Sequence, residues 1–293
     1  METFYLFLVV FLGVLAIFDL SVGVSNDAVN FLNASIGSKA ASFRVIMIVA
    51  ATGILVGAAL SNGMMDIARH GIYQPQYFYF SEIMCILVAV MLTDVVVLDI
   101  FNSLGMPTST TVSLVFELLG GTVAYSMVKI INDSQGILEI GHLMNTDKAL
   151  TVILGIFISV AIAFFFGMIV QYISRLIFTF NYKKTAKYFI GIFGGIAATS
   201  IVYFMLIKGL KSSPIFSGPF ADYILSHTGT VVLYCFIGFT ILMQILHWLH
   251  INVFKVIVLM GTFALALAFA GNDLVNFIGV PLAGYSAYSD FMA

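Results

Sequence analysis

Charge is scarce in this chain. Lys, Arg, Asp and Glu together make up 9% of its 293 residues, and the net charge is −2; soluble domains carry about 25% charged residues. That deficit excludes an ordinary soluble domain, and with no basic stripe it leaves nothing to hold a nucleic acid. Cysteine is almost absent. Cys85 and Cys235 both fall in apolar runs, which excludes a disulfide framework and reads as two small core residues. The period-two alternation that a membrane barrel needs is missing. Met1-Glu2-Thr3 has no positive n-region and no clear small-residue cleavage site follows, so a cleavable signal peptide is not expected. No Gly-x-Ser-x-Gly, His-Glu-x-x-His or Ser/Lys pair is present, which leaves an intramembrane enzyme without machinery and implies no organic cofactor.

What is abundant is hydrocarbon. Hydrophobic residues make up 61% and the mean hydropathy is +1.09, so the chain reads as an all-α, polytopic integral membrane protein whose first partner is the lipid bilayer. A spanning helix needs about 20 apolar residues. The candidate runs are Phe4 to Ile36, Phe43 to Leu60, Phe78 to Leu98, Thr108 to Ile131, Ala149 to Ile173, Phe189 to Ile207, Thr230 to His247, and Val253 onward. Lys and Arg favour the cytoplasm. Arg175, Lys183, Lys184 and Lys187 form the densest basic cluster, which places Ser174 to Tyr188 inside, Lys39 and Arg44 inside, and the N-terminus outside. Counted onward, Lys208 and Lys211 fall outside and Lys255 inside.

The first run is interrupted by Val22 to Ser38, where Asn26, Asp27, Asn30 and Asn33 sit among apolar residues between Gly23 and Gly37. An ionisable side chain at that depth costs roughly 2.5–3.5 kcal/mol on insertion scales, so it is normally retained for a task. The flanking glycines predict that the helix unwinds there. The interruption occurs twice: Asn26, Asp27, Val29, Asn30 and Phe31 recur at one constant spacing as Asn272, Asp273, Val275, Asn276 and Phe277, followed by Gly279 and Pro281. Two polar breaks far apart in an apolar chain mark a transporter built from repeats, with its site at their interface. The charge bias sends the first broken helix in from outside and the second from inside, so the repeats have inverted topology. Alternating access, rather than a channel's continuous polar path, is expected of such a pair.

Between two apolar runs lies Gly105-Met-Pro107-Thr108-Ser109-Thr110-Thr111. Pro107 suits a helix start and Gly105 frees the preceding turn. The hydroxyls that follow sit beside N–H groups with no intrahelical partner, at the end of the helix carrying roughly half a positive charge. That combination binds an oxyanion without Lys or Arg. Neither the two Asn-Asp motifs nor this turn contains a basic residue. If Asp27 and Asp273 approach an anion in a low dielectric, a cation or protons must enter with it. Carboxylates and Asn amides are hard oxygen ligands suited to Na⁺, and the expected site is at Asn26, Asp27, Asn272 and Asp273. Asn30 and Asn276 are candidates for both the ion and the anion. Asp94 and Asp99 are candidates for taking the coupling cation, as ion ligands or proton carriers, and Glu117 is a further proton candidate. Asp19 is another acid inside a run. His247 and His250, beside Trp248, read as an interface belt.

These residues carry a family resemblance. Ser21-Val22-Gly23 through Asn26-Asp27, Asn30 and Gly37-Ser38, the Gly105-x-Pro107-x-Ser109-Thr110-Thr111 turn, and Gly271-Asn272-Asp273-x-x-Asn276 resemble the inorganic phosphate transporter (PiT) family, with lesser echoes at Gly57-Ala58 and Ile67 to Ile72. The resemblance implies a Na⁺- or H⁺-coupled phosphate symporter of the plasma (inner) membrane, with a scaffold region, re-entrant helical hairpins and a homodimeric assembly. It implies that Thr108, Ser109, Thr110 and Thr111 hold phosphate oxygens with Asp27, Asp273, Asn30 and Asn276, and that the same Asn and Asp residues line the ion sites. Sulfate, another tetrahedral oxyanion, is the alternative substrate. The chain departs from the family at Val24-Ser25, where Gly-Ala is usual, and at Val112, where a His is common. A second Pro-x-Ser-Thr-Thr would fall past Ala293. The expected organisation is therefore a first repeat over 1–148, connecting scaffold helices over 149–250, and a second, incomplete repeat over 251–293.

Overall fold

The structure is a computed structural model that describes residues 2–59, 72–133, 139–178, 182–212 and 219–292. The Ile67 to Gly71 echo lies outside the described residues, as do the side chains of Lys183, Lys208, Lys211 and Asn272. The fold is helical: α1 (Glu2–Gly37), α2 (Phe43–Ala59), a 3₁₀ turn (Pro75–Tyr77), α3 (Phe80–Ser103), α4 (Thr110–Ile131), α5 (Ile140–Leu143), α6 (Thr146–Ile177), α7 (Tyr182–Ser212), α8 (Pro219–Ser226), α9 (Thr228–Trp248) and α10 (Val253–Met292). Among the described residues there is no strand, only an isolated bridge between Tyr73 and Met144. Seven of the described helices are long and apolar enough to cross a membrane. Both arms of the hairpin made by α3 and α4 are among them, so each is of spanning length by itself.

The chain divides into two compact units, and the boundary falls inside α1, α6 and α10. One unit comprises Met1–Val29, Asn62–Ile158 and Asn272–Ala293; the other comprises Asn30–Ser61 and Ser159–Gly271. The units cut across the three sequence blocks expected above. In the first unit, α1, α3, α4 and the end of α10 enclose a core around Leu12, Met84, Leu87, Met91, Leu118 and Val280. In the second, Ala186, Ile190 and Ala198 of α7 pack with Met243 of α9 and Val253 of α10.

The unwinding expected at the two motifs is absent. Helix α1 runs unbroken through Val22 to Gly37, and α10 runs through Gly271 to Phe277 and past Pro281. Gly23 answers to packing instead, and so does Gly284 further along α10, while a Cβ on Gly37 would meet nothing within 4 Å. A Cβ on Gly23 would lie 2.1 Å from Cζ of Phe277, and one on Gly284 would lie 2.6 Å from Cδ1 of Leu12. In that unit α1 and α10 therefore run antiparallel, early residues of one against late residues of the other. The second unit repeats the pattern. Phe31 meets Phe269 with ring centroids 5.5 Å apart, and the hydroxyls of Ser35 and Thr262 are 2.5 Å apart. Phe31 and Phe277 are matching positions of the two motif copies, as are Gly23 and Phe269. The same contact thus occurs once in each unit with the copies' roles exchanged, as an inverted repeat requires. Pro281 removes one backbone donor within α10, which membrane helices tolerate where neighbours pack the freed carbonyl.

In the second unit α2 approaches α10 through Gly53 and Gly57. A Cβ on Gly53 would come within 2.6 Å of the Phe263 carbonyl oxygen, and one on Gly57 within 2.3 Å of that of Leu267. This is close backbone packing through small residues four apart. Helix α6 is exposed over nearly all its length, Phe164, Phe165 and Phe166 included, as a lipid-facing surface would be. Cys85 is exposed and Cys235 half-buried, both as free thiols, rather than both lying in the core. On an apolar span a thiol can face lipid as easily as protein, because it behaves as a small hydrophobe.

Candidate functional site

The site grows out of the turn between α3 and α4. Gly105 adopts a left-handed φ of 66°, and the Met106 N–H reaches back to the Phe101 carbonyl at 2.9 Å, closing α3 in the manner of a glycine C-cap. Pro107 then prevents the chain from continuing that helix. Ser109 caps α4, its Oγ accepting from the Val112 N–H at 3.4 Å. The opening turn of α4 thus carries orphan N–H groups and three successive hydroxyls, of which those of Thr110 and Thr111 face the motif carboxylates.

Both motif helices deliver side chains to that corner within the first unit. Asn26, buried on α1, uses both ends of its amide on the turn's backbone. Its Nδ2 donates to the Met106 carbonyl at 3.1 Å, and its Oδ1 accepts from the Thr108 N–H at 3.0 Å. The asparagine acts as a template that sets the path of the chain into α4. From α10, Asp273 accepts the Thr111 hydroxyl proton at 2.7 Å, while Asn276 donates through Nδ2 to the same hydroxyl oxygen at 2.8 Å. Thr111 is thereby held by an acceptor on one side and a donor on the other. Asp27 is buried; Asp273 and Thr110 both lie close enough to interact with it. Thr110 is buried, and its side chain faces both carboxylates.

The structure therefore brings Asn26, Asp27, Thr108, Ser109, Thr110, Thr111, Asp273 and Asn276 into one neighbourhood. The other candidates fare differently. Asn30 is exposed and belongs to the segment of the second unit. Asp99 is exposed on α3 and does not join the corner, because five residues of helix turn it well away from the face that Asp94 buries. Asp94 is buried in a separate group with Asp19 and Glu117. Among the described residues no group of three or more His, Cys, Asp or Glu side chains is arranged to hold a metal ion. The chemistry of the corner is hydrogen-bond donors and hard oxygens without a basic residue, which suits an oxyanion accompanied by cations.

Sequence reasoning missed Asn26's grip on the turn. The paired carbonyl and N–H it holds are backbone groups, which leave no mark in the sequence. It also missed Asn102, whose Nδ2 lies 3.5 Å from the Ser25 hydroxyl.

Comparison with known proteins bears on the fold and the family. A curated sodium-dependent phosphate transporter from Plasmodium falciparum is 34% identical over 129 residues, which is 43% of this chain and 19% of that protein. A solved structure described as the sodium-dependent phosphate transporter superposes with a TM-score of 0.69 at 18% identity, covering 96% of this chain and 68% of the other. At that identity the shared feature is the fold. The model of the phosphate transporter family matches residues 23–293, a stretch that contains both Asn-Asp motifs and the Pro-Thr-Ser-Thr-Thr turn, and the chain belongs to that family.

Proposed function

We propose that this protein imports inorganic phosphate by symport with Na⁺, using the α3–α4 corner as its anion site. The observation that carries the reading is the double hold on Thr111 by Asp273 and Asn276, next to a turn templated by Asn26. Thr111 commits its proton to Asp273 in this arrangement. A cation taken up by Asp27 and Asp273 would weaken that commitment and leave the hydroxyl free to turn to phosphate, so ion and anion would bind together. Asn26, with both amide ends engaged, positions the turn instead of serving mainly as an ion ligand. Phosphate has an advantage over sulfate here, since a protonated phosphate oxygen can donate to a carboxylate while sulfate at neutral pH cannot. The names of the related proteins support Na⁺ as the coupling ion. The basic residues of Ser174 to Tyr188 support an N-terminus outside the plasma (inner) membrane, and a homodimer is in keeping with the exposed length of α6.

The deciding experiment is uptake of labelled phosphate into proteoliposomes with and without an inward Na⁺ gradient. Gradient-dependent uptake, competed by unlabelled phosphate far better than by sulfate and abolished by Asp27→Asn, is the expected result. Stronger competition by sulfate, or full uptake by Asp27→Asn, would overturn the reading.

A further inference from the structure

We infer that Asp19, Asp94 and Glu117 form a proton-binding site within the first unit, separate from the Thr111 corner. Three helices contribute: α1 supplies Asp19, α3 supplies Asp94, and α4 supplies Glu117 with the neighbouring Ser113. Asp94 interacts with both other acids, and Asp19 also feels Glu117. Asp19 is 0% exposed and Asp94 1%. The Ser113 hydroxyl donates to Glu117 Oε1 at 2.8 Å, which uses its only proton. Both oxygens of Asp19, Oδ1 of Asp94 and Oε2 of Glu117 are buried and have no hydrogen-bond donor among the described residues. An ionised carboxylate can only accept, so these oxygens cannot satisfy one another. A carboxyl that carries a proton becomes a donor to the next, so each shared proton satisfies two of these oxygens at once. Asp19 is decisive, since it is wholly buried, finds no donor among the described residues and lies against Asp94.

Among the described residues of the helices that supply or enclose the acids, no cation stands ready to do the same. Helices α1 and α3 and the 272–292 segment of α10 contain no Lys, Arg or His, and the one basic residue of α4, Lys129, is bound to Glu82 at 2.6 Å. The three acids are not arranged as a metal-binding group. Three unpaired negative charges inside a membrane protein are prohibitive, whereas carboxyls that share a proton are a stable arrangement. Asp19, Asp94 and Glu117 thus hold at least one proton between them. That this proton moves with the transport cycle rests on the transport reading above; that it is bound does not.

Infrared difference spectra of the purified protein, stepped in pH, test the site directly. The expected result is a protonated-carboxyl C=O band that shifts on exchange into heavy water and is lost in Asp94→Asn and Glu117→Gln. Glu117→Asp, which keeps the acid and moves it, must displace the band and serves where the amide variants do not fold. Spectra of these variants identical to that of the native protein would overturn the proposal. So would loss of the band on adding Na⁺ at constant pH, which would make the cluster a cation site. Phosphate uptake is measured separately, so a missing band with intact uptake defeats this inference alone, and a present band without uptake defeats only the transport reading.

Discussion

Thr111 gives its hydroxyl proton to Asp273 across a 2.7 Å hydrogen bond while Asn276, one turn further along the same helix, donates to its oxygen. A residue at the head of α4 is therefore governed by the second motif copy, and the proposed anion site and the acid proposed to attract the cation share a single proton. The hydroxyl, not the size of the side chain, is what matters. Thr111→Val should lower phosphate affinity about 5- to 150-fold, since a buried polar partner left unpaired costs ~1–3 kcal/mol. Thr111→Ser should retain most uptake. Concentration series of labelled uptake for both variants check this, and equal losses would refute it.

Asn26 should prove more sensitive than its place on α1 implies. Asn26→Ala removes both bonds to the turn, and Asn26→Asp keeps the acceptor but replaces the donor to Met106 with a second acceptor. Both variants should fall in thermal stability by about 1–3 kcal/mol and lose phosphate affinity, with the aspartate no better than the alanine. Melting curves in detergent, with and without phosphate, separate the two effects.

Gly23 and Gly57 make a graded pair. The Cβ of Gly23→Ala would run into the tip of the Phe277 ring, and that of Gly57→Ala into the Leu267 carbonyl oxygen. Overpacking of this kind costs typically ~1–3 kcal/mol. A ring can be trimmed but a backbone carbonyl cannot. Gly23→Ala should therefore be rescued by Phe277→Leu, whereas no single side-chain change near Leu267 should rescue Gly57→Ala. Failure of the Phe277→Leu rescue in melting experiments counts against the contact.

Asp99 provides the contrast. It is exposed on α3, so Asp99→Asn should change stability by no more than about 0.5 kcal/mol and leave Na⁺-dependent uptake close to native. A loss comparable to that of Asp27→Asn would return Asp99 to the site.

Much of this was legible in the letters. The recurrence of Asn-Asp-x-Val-Asn-Phe, the Pro-Thr-Ser-Thr-Thr helix start and the apolar runs are local patterns, and the helices and the corner follow from them. What was illegible depended on tertiary partners. Gly23 and Gly37 read as breakers because glycine favours unwinding, yet Gly23 is small to admit the Phe277 ring. Asp94 and Asp99 look equivalent as acids in one run, and only the helical phase, fixed by what α3 packs against, buries one and exposes the other. Asp19 and Glu117 lie far apart in the chain, so their meeting through Asp94 had no signature.

Both hydrogen bonds that Asn26 makes to the Met106–Thr108 turn go to main-chain atoms. Any residue at position 106, and any but proline at 108, would present the same carbonyl and the same N–H. The grip is thus blind to the identity of those side chains, and evolution can vary them without loosening the hold. Related proteins can in this way alter what the loop presents to a tetrahedral guest while the helix that clamps it stays as it is.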